Sequence, residues 1–237
     1  MVFCNFDYPW IRLIRRTDKI TIVYVDLTPG ELHEQHAIDW LDESELKRIQ
    51  RYRISRPQRE FALCRAALRC MLCEQLGCEN DQLSFAAENY GKPYALVNRK
   101  PVSISFNVSH SDPHGLVAIT HGMRVGIDVE TTKYERDFDG IASVVFGPNE
   151  RVDIASVSGI EKAHLFLRFW TLKEAVVKAL GTGLATDLTE FEISPDIRHG
   201  ARRSVIQLPM ISDTWWVLED LSTPDYTAAI ASEIIHP

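Results

Sequence analysis

The sequence predicts an α+β fold in which mainly antiparallel sheets pack against helices in two lobes. Short β-rich stretches are separated by turn residues along much of the chain. Two longer stretches have helical spacing of apolar residues, Phe61–Leu76 and Phe166–Leu180, and the second stops at Gly181. Each half of the chain runs from helix to glycine turn to strands, which favours two similar lobes. Many single α+β domains show the same order, so one larger domain remains the alternative.

The individual elements follow from local patterns, taken from the N-terminus. Ile20–Leu27 alternates and is rich in β-branched residues, which predicts a strand. Ser44–Arg53 is predicted as a basic helix, and Pro57 can begin the next one. The turn Asp112–Gly115 separates two later strands. The remaining predicted elements are a helix near Gly147–Ala155 and strands at Leu83–Ala86, Ser103–Val108, Leu116–Thr120, Val125–Val129, Thr189–Ile193, Ser204–Gln207, Thr214–Glu219 and Tyr226–Ser232.

The composition is that of an ordinary globular protein and argues against several classes of function. The 237 residues are 45% hydrophobic, which is enough to bury a substantial core. A net charge of −7 argues against a dedicated nucleic-acid-binding protein, and no stretch is long and apolar enough to span a membrane. The start of the chain lacks the pattern of a signal peptide, so we expect a cytoplasmic protein. The cysteines are expected to be buried or partly buried thiols.

Two carboxylates interrupt the apolar strand that begins at Val125. Residues two apart on a strand point to the same side, so Asp128 and Glu130 share one face. Adjacent carboxylates repel each other unless a cation lies between them, and Mg²⁺ prefers such oxygen ligands. Two ordinary acids on a solvent-facing strand are the simpler interpretation of this pattern alone.

The second long helix carries Trp170, Glu174 and Lys178 at intervals of four residues, which places them on one face. Glu174 can add a third carboxylate to the pair on the strand, and Lys178 can neutralise a phosphate. A surface Glu–Lys ion pair beside a buried tryptophan is the alternative. Lys173 points elsewhere and is the weaker candidate.

A basic run from Lys47 to Arg59 contains six Lys or Arg residues and no acid. Arginine suits phosphate because the guanidinium group gives two aligned hydrogen bonds. A solvated helix face is the alternative. Further along, Gly91-Lys92-Pro93 forms a turn that projects one lysine, and Ser109 and His110 can donate hydrogen bonds to phosphate oxygens.

The adjacent Ser109 and His110 do not predict nucleophilic catalysis, because neighbouring strand residues point to opposite faces. The sequence contains no nucleophile elbow, Walker-type phosphate loop or dinucleotide glycine pattern. The chemistry suggested by the residues alone is therefore a metal and phosphate site of unspecified reaction.

Taken together, the motifs resemble those of the 4′-phosphopantetheinyl transferases of the surfactin-synthetase-activating (Sfp/Gsp) type. Each motif alone is weak, but their order and spacing are specific, and the resemblance runs from about residue 51 to about residue 192. The matching motifs are, in chain order, Gly91-Lys92-Pro93, Phe106-Asn107-Val108-Ser109-His110-Ser111, Gly126-Ile127-Asp128-Val129-Glu130, Trp170-Thr171-Leu172-Lys173-Glu174-Ala175-Val176-Val177-Lys178 and Gly181-Thr182-Gly183-Leu184.

The resemblance implies a pseudo-twofold fold, with an N-terminal lobe over residues 1–122, a C-terminal lobe over residues 123–237 and coenzyme A bound between them. It implies Mg²⁺, with Mn²⁺ as the alternative, held by Asp128, Glu130 and Glu174. For the 3′-phosphate of coenzyme A, Arg56 and Arg59 are favoured. The other implied contacts of the coenzyme are Lys92, Pro93, Asn107, Ser109, His110 and Lys178.

The implied reaction moves the phosphopantetheine arm of coenzyme A to a serine of an apo acyl-carrier or peptidyl-carrier protein and releases 3′,5′-ADP. Carriers of fatty-acid, polyketide or nonribosomal-peptide synthesis are the expected partners, and the residues do not choose among them. Asp128, Glu174 and Lys178 would be catalytic. The serine proton would pass to Glu174 or to a metal-bound water.

The resemblance also implies that the carrier docks after the second long helix, near Gly181–Leu184. Leu184, Leu188 and Phe191 could supply apolar contacts there, or could belong to the core. We expect a monomer, because a chain with two lobes needs no second copy to build a site. A metal-dependent phosphohydrolase that cleaves coenzyme A without a carrier, and a non-catalytic carrier-binding module, are the competing functions.

Overall fold

The protein is described by a computed structural model that covers residues 8–88, 90–132, 138–183, 186–209 and 211–234. The chain divides into two compact units, Met1–Gly122 and Met123–Pro237. Each unit contains a four-stranded antiparallel sheet and a helix of 22 residues, which confirms the predicted α+β class. Among the described residues, none of the helices has the length and apolar character needed to cross a bilayer.

The N-terminal unit contains, in chain order, β1 (Ile11–Arg16), β2 (Ile20–Asp26), α1 (Glu31–Ile38), α2 (Glu43–Ile49), α3 (Ser55–Leu76), β3 (Leu83–Ala87), β4 (Pro93–Val97), β5 (Lys100–Pro101), β6 (Ile104–Ser111) and β7 (His114–His121). Its main sheet has the antiparallel order β1-β2-β7-β6, and β3-β4-β5 form a second, smaller sheet. Helix α3 packs against β7, β2 and β6, so its apolar face forms the core of this unit.

Helix α3 is long because its sequence supports both ends and one continuous apolar face. Pro57 lies in the first turn, where its missing N–H costs no helical hydrogen bond. Leu63, Ala67 and Met71 recur every four residues and are fully buried. Gly77 ends the helix in the left-handed conformation, at a φ of 62°.

A buried arginine ties α3 to α2. The side chain of Arg69 is 1% exposed, and its Nε donates to Glu45 Oε2 at 2.7 Å. Its two terminal nitrogens donate to the carboxylate of Asp42 and, at 2.8 Å, to Asn80 Oδ1. Asp42 is also the N-cap of α2, in a capping box with Glu45. The first turn of α2 is therefore fixed by charge-assisted hydrogen bonds.

The C-terminal unit contains β8 (Val125–Thr131), α4 (Phe138–Val145), α5 (Pro148–Ala155), α6 (Gly159–Leu180), α7 (Pro195–Arg198), β9 (Arg203–Leu208), β10 (Ile211–Asp220) and β11 (Tyr226–Ile234). The antiparallel sheet has the order β8-β11-β10-β9, and α6 packs along β8 and β11. The core is rich in aromatic residues: the Phe166 ring lies 4.7 Å from that of Phe138 and 5.1 Å from that of Phe146, between ring centres.

Most predicted elements are present, and the differences concern particular segments. Helix α6 begins at Gly159 rather than Phe166, and α2 ends at Ile49 rather than Arg53. The prediction of a strand at Thr189–Ile193 is wrong, because a short 3₁₀ turn and an irregular segment stand there. The local pattern did not predict β1, α1, β4, β5, α4 or α7.

The cysteines within the described ranges carry thiols and form no disulfide bonds, as predicted. Cys64 is buried, and Cys70, Cys73 and Cys78 are partly buried. Burial raises the pKa of Cys73 to about 12, and the neighbouring Cys78 adds to the rise. The Cys73 thiol is therefore neutral at physiological pH and behaves as a small core residue. Cys4 lies outside the described residues.

Candidate functional site

Strand β8 and helix α6 approach each other very closely at Gly126. A Cβ atom on this residue would lie 2.1 Å from the carbonyl oxygen of Ala175 and 2.3 Å from the backbone nitrogen of Ala179. Any side chain at this position would therefore overlap the helix backbone. Glycine allows α6 to lie directly on the strand that carries Asp128.

Asp128 and Lys178 meet across this contact between strand and helix. Lys178 Nζ donates to Asp128 Oδ1 at 2.6 Å. The Asp128 side chain is 5% exposed and the Lys178 side chain 28% exposed. A hydrogen bond between two charged groups is stronger than one between neutral groups, so the pair fixes the position of the ammonium.

Glu174 and Glu130 complete a cluster of three carboxylates around this pair. Glu174 precedes Lys178 by one helical turn on α6, and Glu130 follows Asp128 by two residues on β8. Burial raises the pKa of Glu174; the negative charges of Asp128 and Glu130 raise it further, while Lys178 lowers it. The predicted acidic residues and Lys178 therefore lie close enough to act on one another.

The three carboxylates are oxygen donors of the type that Mg²⁺ binds. Mg²⁺ prefers carboxylate oxygens, and repulsion among three carboxylates is what a divalent cation relieves. Across the described ranges, no three Asp, Glu, His or Cys side chains are arranged so that they could already hold a metal ion. In the structure, one oxygen of Asp128 accepts a hydrogen bond from Lys178. The donor set thus fits a hard divalent cation in type and charge.

Lys173 lies in a different environment from Glu174, although the two are adjacent. Its side chain is fully buried, and its ammonium lies 2.7 Å from Oε2 of Glu150, which is also fully buried. The ammonium also donates to the carbonyl oxygens of Leu188 and Phe191, each at 2.7 Å. Burial lowers the pKa of Lys173, and Glu150 opposes that shift. As predicted, Lys173 points away from the carboxylate cluster.

Glu150 is the second half of this internal network. Its Oε2 accepts the backbone N–H of Gly147 at 2.8 Å, and its Oε1 accepts that of Ile193 at 2.7 Å. Lys173 and Glu150 together bind backbone groups at both ends of the segment 188–193. Two buried charged side chains thereby hold this segment beside α6 without a neighbouring strand.

The apolar residues considered for carrier docking after α6 are largely internal. Phe191 is 4% exposed and belongs to the core of the C-terminal unit, and Leu188 packs against that core. Leu184 lies outside the described residues. Thr189 and Glu190 are the exposed residues of this turn. Docking near this segment stays a prediction, without Phe191 as a surface contact.

The N-terminal unit contains a cationic cavity of about 170 Å³ between α2, α3 and β6. The guanidinium carbon of Arg48 lies 4.6 Å from the centre of the Phe61 ring, and that of Arg65 lies 5.5 Å from it. Nη1 of Arg65 is buried and has no acceptor in the part of the chain that the structure describes. The cavity is lined by Arg48, Phe61, Cys64, Arg65, Val108 and His110. Its chemistry suits an anionic group attached to a flat or apolar one.

Arg56 and Arg59 are engaged elsewhere in this unit. Arg59 is 9% exposed; its Nε donates to the carbonyl oxygen of Leu27 at 2.8 Å, and its Nη2 lies 3.3 Å from Asp112 Oδ1. Arg56 Nε donates to Glu60 Oε1 at 2.8 Å and lies 3.8 Å from Asp112 Oδ2. Neither arginine is among the residues that line the cavity. Arg56 and Arg59 of the basic run thus form ion pairs within this unit, whereas Arg48 lines the cavity.

Strand β6 distributes the predicted coenzyme contacts over its two faces. In the register with β7, Asn107 pairs with Ala118, Ser109 with Leu116 and His110 with Gly115. Alternate residues share a face, so Asn107 and Ser109 lie on one side of the sheet and His110 on the side of α3. His110 therefore reaches the cavity with Arg48 and Arg65, whereas Asn107 and Ser109 do not.

Lys92 and Pro93 lie at a turn before β4. Gly91 adopts a φ of 84°, and the carbonyl oxygen of Lys92 accepts the N–H of Glu88 at 2.9 Å. Pro93 is the first residue of β4 and pairs with Ala87. The turn is therefore present, and the structure does not bring Lys92 or Pro93 into the lining of the cavity.

Three residues of these sites were not singled out from the sequence: Glu60, Arg65 and Glu150. Glu60 is 7% exposed, and its Oε2 lies 3.5 Å from Nδ1 of His110. A charged residue on the apolar face of a helix is a signal that could have found Glu60 and Arg65. No local pattern points to Glu150, because its partner lies 23 positions further along the chain.

Two family models match the chain, one in each half. The model described as "4′-phosphopantetheinyl transferase superfamily" matches residues 124–231, which include the carboxylate cluster. The model described as "4′-phosphopantetheinyl transferase, N-terminal" matches residues 27–121, which include the cationic cavity.

Individual relatives agree with the family models. The 4′-phosphopantetheinyl transferase HetI of Nostoc sp. is 30% identical over 215 residues, which cover 91% of this chain and 88% of the relative. The transferase ffp of Bacillus subtilis is 24% identical over 214 residues, covering 90% and 92%. The transferase gsp of Aneurinibacillus migulanus is 30% identical over 169 residues, covering 70% and 68%. The chain therefore belongs to the 4′-phosphopantetheinyl transferase superfamily, and its relatives include enzymes of the Sfp/Gsp type.

Proposed function

We propose that the protein transfers the 4′-phosphopantetheine arm of coenzyme A to a serine of apo acyl-carrier or peptidyl-carrier proteins, with Mg²⁺ or Mn²⁺, and releases 3′,5′-ADP. The relatives' names support the transferred group. The observation that carries the proposal is the contact of Lys178 with Asp128, at 2.6 Å, in a cluster with Glu174. This combination of a fixed cation and several carboxylates suits pyrophosphate chemistry.

The reaction exchanges a phosphoanhydride linkage of coenzyme A for a phosphodiester linkage to the carrier serine. A bond forms between the serine Oγ and the β-phosphorus of coenzyme A, and the bond from that phosphorus to the bridging oxygen breaks. The bridging oxygen leaves with 3′,5′-ADP, and the serine proton goes to a base. Such a transfer needs positioning and neutralisation of charge more than a covalent intermediate.

Lys178 and Glu174 would have different roles in this reaction, one in charge stabilisation and one in proton transfer. The Lys178 ammonium is fixed before substrate arrives, so it can stabilise charge on the leaving phosphate without reorganising. Glu174 is our candidate for the proton acceptor. Its pKa is raised by burial and by its acidic neighbours, which makes it a stronger base than an ordinary carboxylate.

The acidic residues would also hold the metal. Asp128, Glu130 and Glu174 supply oxygen donors of the kind that Mg²⁺ and Mn²⁺ prefer. When bound, the ion would supply positive charge to the pyrophosphate oxygens. Asp128 would then serve both the ion and Lys178.

We assign the nucleotide end of coenzyme A to the cationic cavity of the N-terminal unit. Arg48, Arg65 and His110 supply its charged wall, and Phe61 supplies an aromatic surface. Nη1 of Arg65 has no acceptor among the described residues, and Nε of the same side chain lies 3.3 Å from Glu45 Oε1. Arg48 and Arg65 are therefore better placed for the 3′-phosphate than Arg56 and Arg59. Lys92, Pro93, Asn107 and Ser109 are kept as proposed contacts of other parts of the coenzyme.

The test is to incubate the protein with coenzyme A, Mg²⁺ and each of several apo carrier proteins, and to measure carrier mass. We expect a gain of one phosphopantetheine group per carrier and none with a carrier whose serine is replaced by alanine. Lys178→Met should lose most of the activity. The matched control Lys100→Met changes an exposed lysine on β5 and should leave it unchanged.

Two outcomes would overturn the proposal in different ways. If no carrier gains mass although the protein is folded, transfer to carriers is wrong. If 3′,5′-ADP appears without any carrier, the protein is a phosphohydrolase that uses the same carboxylates.

A further inference from the structure

Glu60 is a buried carboxylate at the edge of the cationic cavity, and the proposed chemistry gives it no role. Its side chain is 9% exposed and lies on α3, one helical turn before Cys64. Oε2 lies 3.5 Å from Nδ1 of His110, and Oε1 accepts a hydrogen bond from Arg56 Nε at 2.8 Å. A negative charge beside a site for an anion would repel the ligand, so its presence there requires a physical explanation.

We propose that Glu60 is a positioning residue for the phosphate end of coenzyme A, because its carboxylate orients the His110 imidazole and favours its cationic form. This inference rests on the proposed function, since it assumes that the cavity binds the coenzyme. It concerns a specificity-determining residue outside the motifs that carry the family resemblance.

The charges around His110 show why a carboxylate is needed. Arg48 from α2 and Arg65 from α3 line the same cavity, and their positive charges disfavour a third cation, although Glu45 of α2, 3.3 Å from Arg65, offsets part of this effect. Glu60 places a carboxylate oxygen 3.5 Å from Nδ1 of the imidazole, and its negative charge opposes this effect. Burial raises the pKa of the Cys64 thiol, with Glu60 adding to the rise, so Cys64 brings no charge of its own.

The remaining charges near Glu60 are paired with each other. Arg56 lies between Glu60 and Asp112, at 2.8 Å and 3.8 Å, and Asp112 also meets Arg59 at 3.3 Å. The contact with Arg56 and the burial of the side chain restrict the position of the Glu60 carboxylate. Glu60 can therefore act as a fixed acceptor rather than as a mobile surface acid.

The same contact orients the imidazole ring. The two ring nitrogens point in different directions, so an Nδ1–H that faces Glu60 directs Nε2 away from that carboxylate. The His110 side chain is 45% exposed, which leaves the ring accessible to a ligand. A cationic imidazole donates from both nitrogens, one to Glu60 and one toward a phosphate oxygen.

Removing the charge of Glu60 has two opposite effects, and their balance depends on pH. Free histidine changes charge near pH 6.5. At lower pH, protonation of the ring depends less on Glu60, so loss of Glu60 mainly removes a repulsion against the phosphate. Above that value, loss of Glu60 also removes the partner that keeps the ring charged. The variant should therefore bind coenzyme A as well as the wild type in acid and more weakly in base.

The experiment compares Glu60→Gln with the wild type at pH 6 and pH 8, by KM for coenzyme A and by calorimetric binding of coenzyme A and 3′,5′-ADP. We expect a ratio of variant to wild-type KM at or below one at about pH 6, rising to about three- to tenfold at about pH 8. The value of kcat should change little. Glu74→Gln, on the same helix but paired with Arg16, is the matched control and should show no such trend.

The double variant Glu60→Gln/His110→Ala separates orientation from general damage. In the His110→Ala background, the Glu60→Gln change should produce no rise of the KM ratio with pH. A ratio that is constant with pH, or that rises equally in both backgrounds, overturns the inference. If Glu60→Gln does not fold, Glu60→Asp takes its place, since it keeps the charge but moves it away from the ring. Its KM ratio should then rise from pH 6 to pH 8 by a smaller factor, and a constant ratio overturns the inference.

Failure of this inference can be told apart from failure of the proposed function. If His110→Ala leaves coenzyme binding unchanged at both pH values, the assignment of the cavity is wrong and the role of Glu60 falls with it. If His110→Ala weakens binding but Glu60→Gln has no pH-dependent effect, only the role of Glu60 is wrong. If binding shows the trend but no carrier is modified, the transfer reaction fails while this inference stands.

Discussion

Replacing Gly126 with alanine tests whether the close approach of β8 and α6 sets up the site. The new Cβ would lie 2.1 Å from Ala175 O, 2.3 Å from Ala179 N and 2.8 Å from Lys178 C, where ordinary contacts begin at 3.4 Å. All three atoms belong to the helix backbone, so α6 would have to move by about 1 Å. Overpacking of this kind costs about 1–3 kcal/mol of stability.

The same shift separates Lys178 from Asp128 and should therefore lower catalysis per folded molecule in addition to stability. A displacement of about 1 Å in a reacting group can cost about a hundredfold in rate, or about 2.7 kcal/mol in the barrier. We expect kcat/KM for carrier modification, corrected for the folded fraction, to fall by about that factor. Urea unfolding measures the stability, and carrier mass measures the transfer.

Gly77→Ala is the matched control for this experiment. Gly77 has a φ of 62° and nothing within 4 Å of an added Cβ, so alanine there strains the backbone by about 1–2 kcal/mol without moving a helix. The two variants should lose comparable stability, while only Gly126→Ala loses activity per folded molecule. Equal activity in the two variants would refute the link between the helix position and the chemistry.

Further predictions concern the buried charges and the metal. Lys173→Met leaves Glu150 buried without its cation and should lower the free energy of unfolding by about 3–5 kcal/mol; adding Glu150→Gln should recover part of it, and additive losses would contradict the pairing. Burial alone raises the pKa of Asp220, but hydrogen bonds, one of them from Arg168, outweigh it and hold the pKa below its ordinary value. Ionised Asp220 thus stabilises the fold above its ordinary pKa, and this contribution is lost as pH falls through the lowered value. The free energy of unfolding, measured from pH 7 to about pH 3, should fall more steeply in the wild type than in Asp220→Asn. Equal slopes would argue against a stabilising role of Asp220. Asp128→Ala should abolish transfer and keep the far-ultraviolet circular dichroism, and EDTA should stop the wild-type reaction until Mg²⁺ or Mn²⁺ is added; turnover unaffected by either change would remove Asp128 or the metal from the site.

The local parts of the carboxylate cluster could be predicted from the sequence. Strand periodicity places Asp128 and Glu130 on one face, and helix periodicity does the same for Glu174 and Lys178. The meeting of the two faces depends on packing between residues 50 positions apart. No local pattern contains that information, and the resemblance to a family was needed to join the two halves.

The strand predicted at Thr189–Ile193 shows why an alternating pattern can mislead. Phe191 and Ile193 are buried, as they would be on one face of a strand. Their backbone groups are bound by Lys173 Nζ and a carboxylate oxygen of Glu150 instead of a neighbouring strand. Alternation reports burial of side chains, and it does not say which groups satisfy the backbone.

The basic run shows a second limit of prediction from sequence, which concerns the partners of charged side chains. Charge alone groups Arg48, Arg56 and Arg59 as equivalent candidates for a phosphate. In the structure, Arg59 and Arg56 face carboxylates of their own unit, and Arg48 lies at the cavity. Glu60 lies one helical turn after Arg56, but Asp112 is distant in the sequence and no local pattern places Arg48 at a cavity, so the full division becomes visible only when the elements are packed.

The way in which the segment after α6 is held makes it a good target for directed evolution. Lys173 and Glu150 form hydrogen bonds with its backbone, and these bonds do not depend on the identity of the exposed side chains. Thr189 and Glu190 face solvent on this fixed backbone. A library randomised at these two codons should therefore consist largely of folded proteins, and selection on different carriers would then act on recognition rather than on stability.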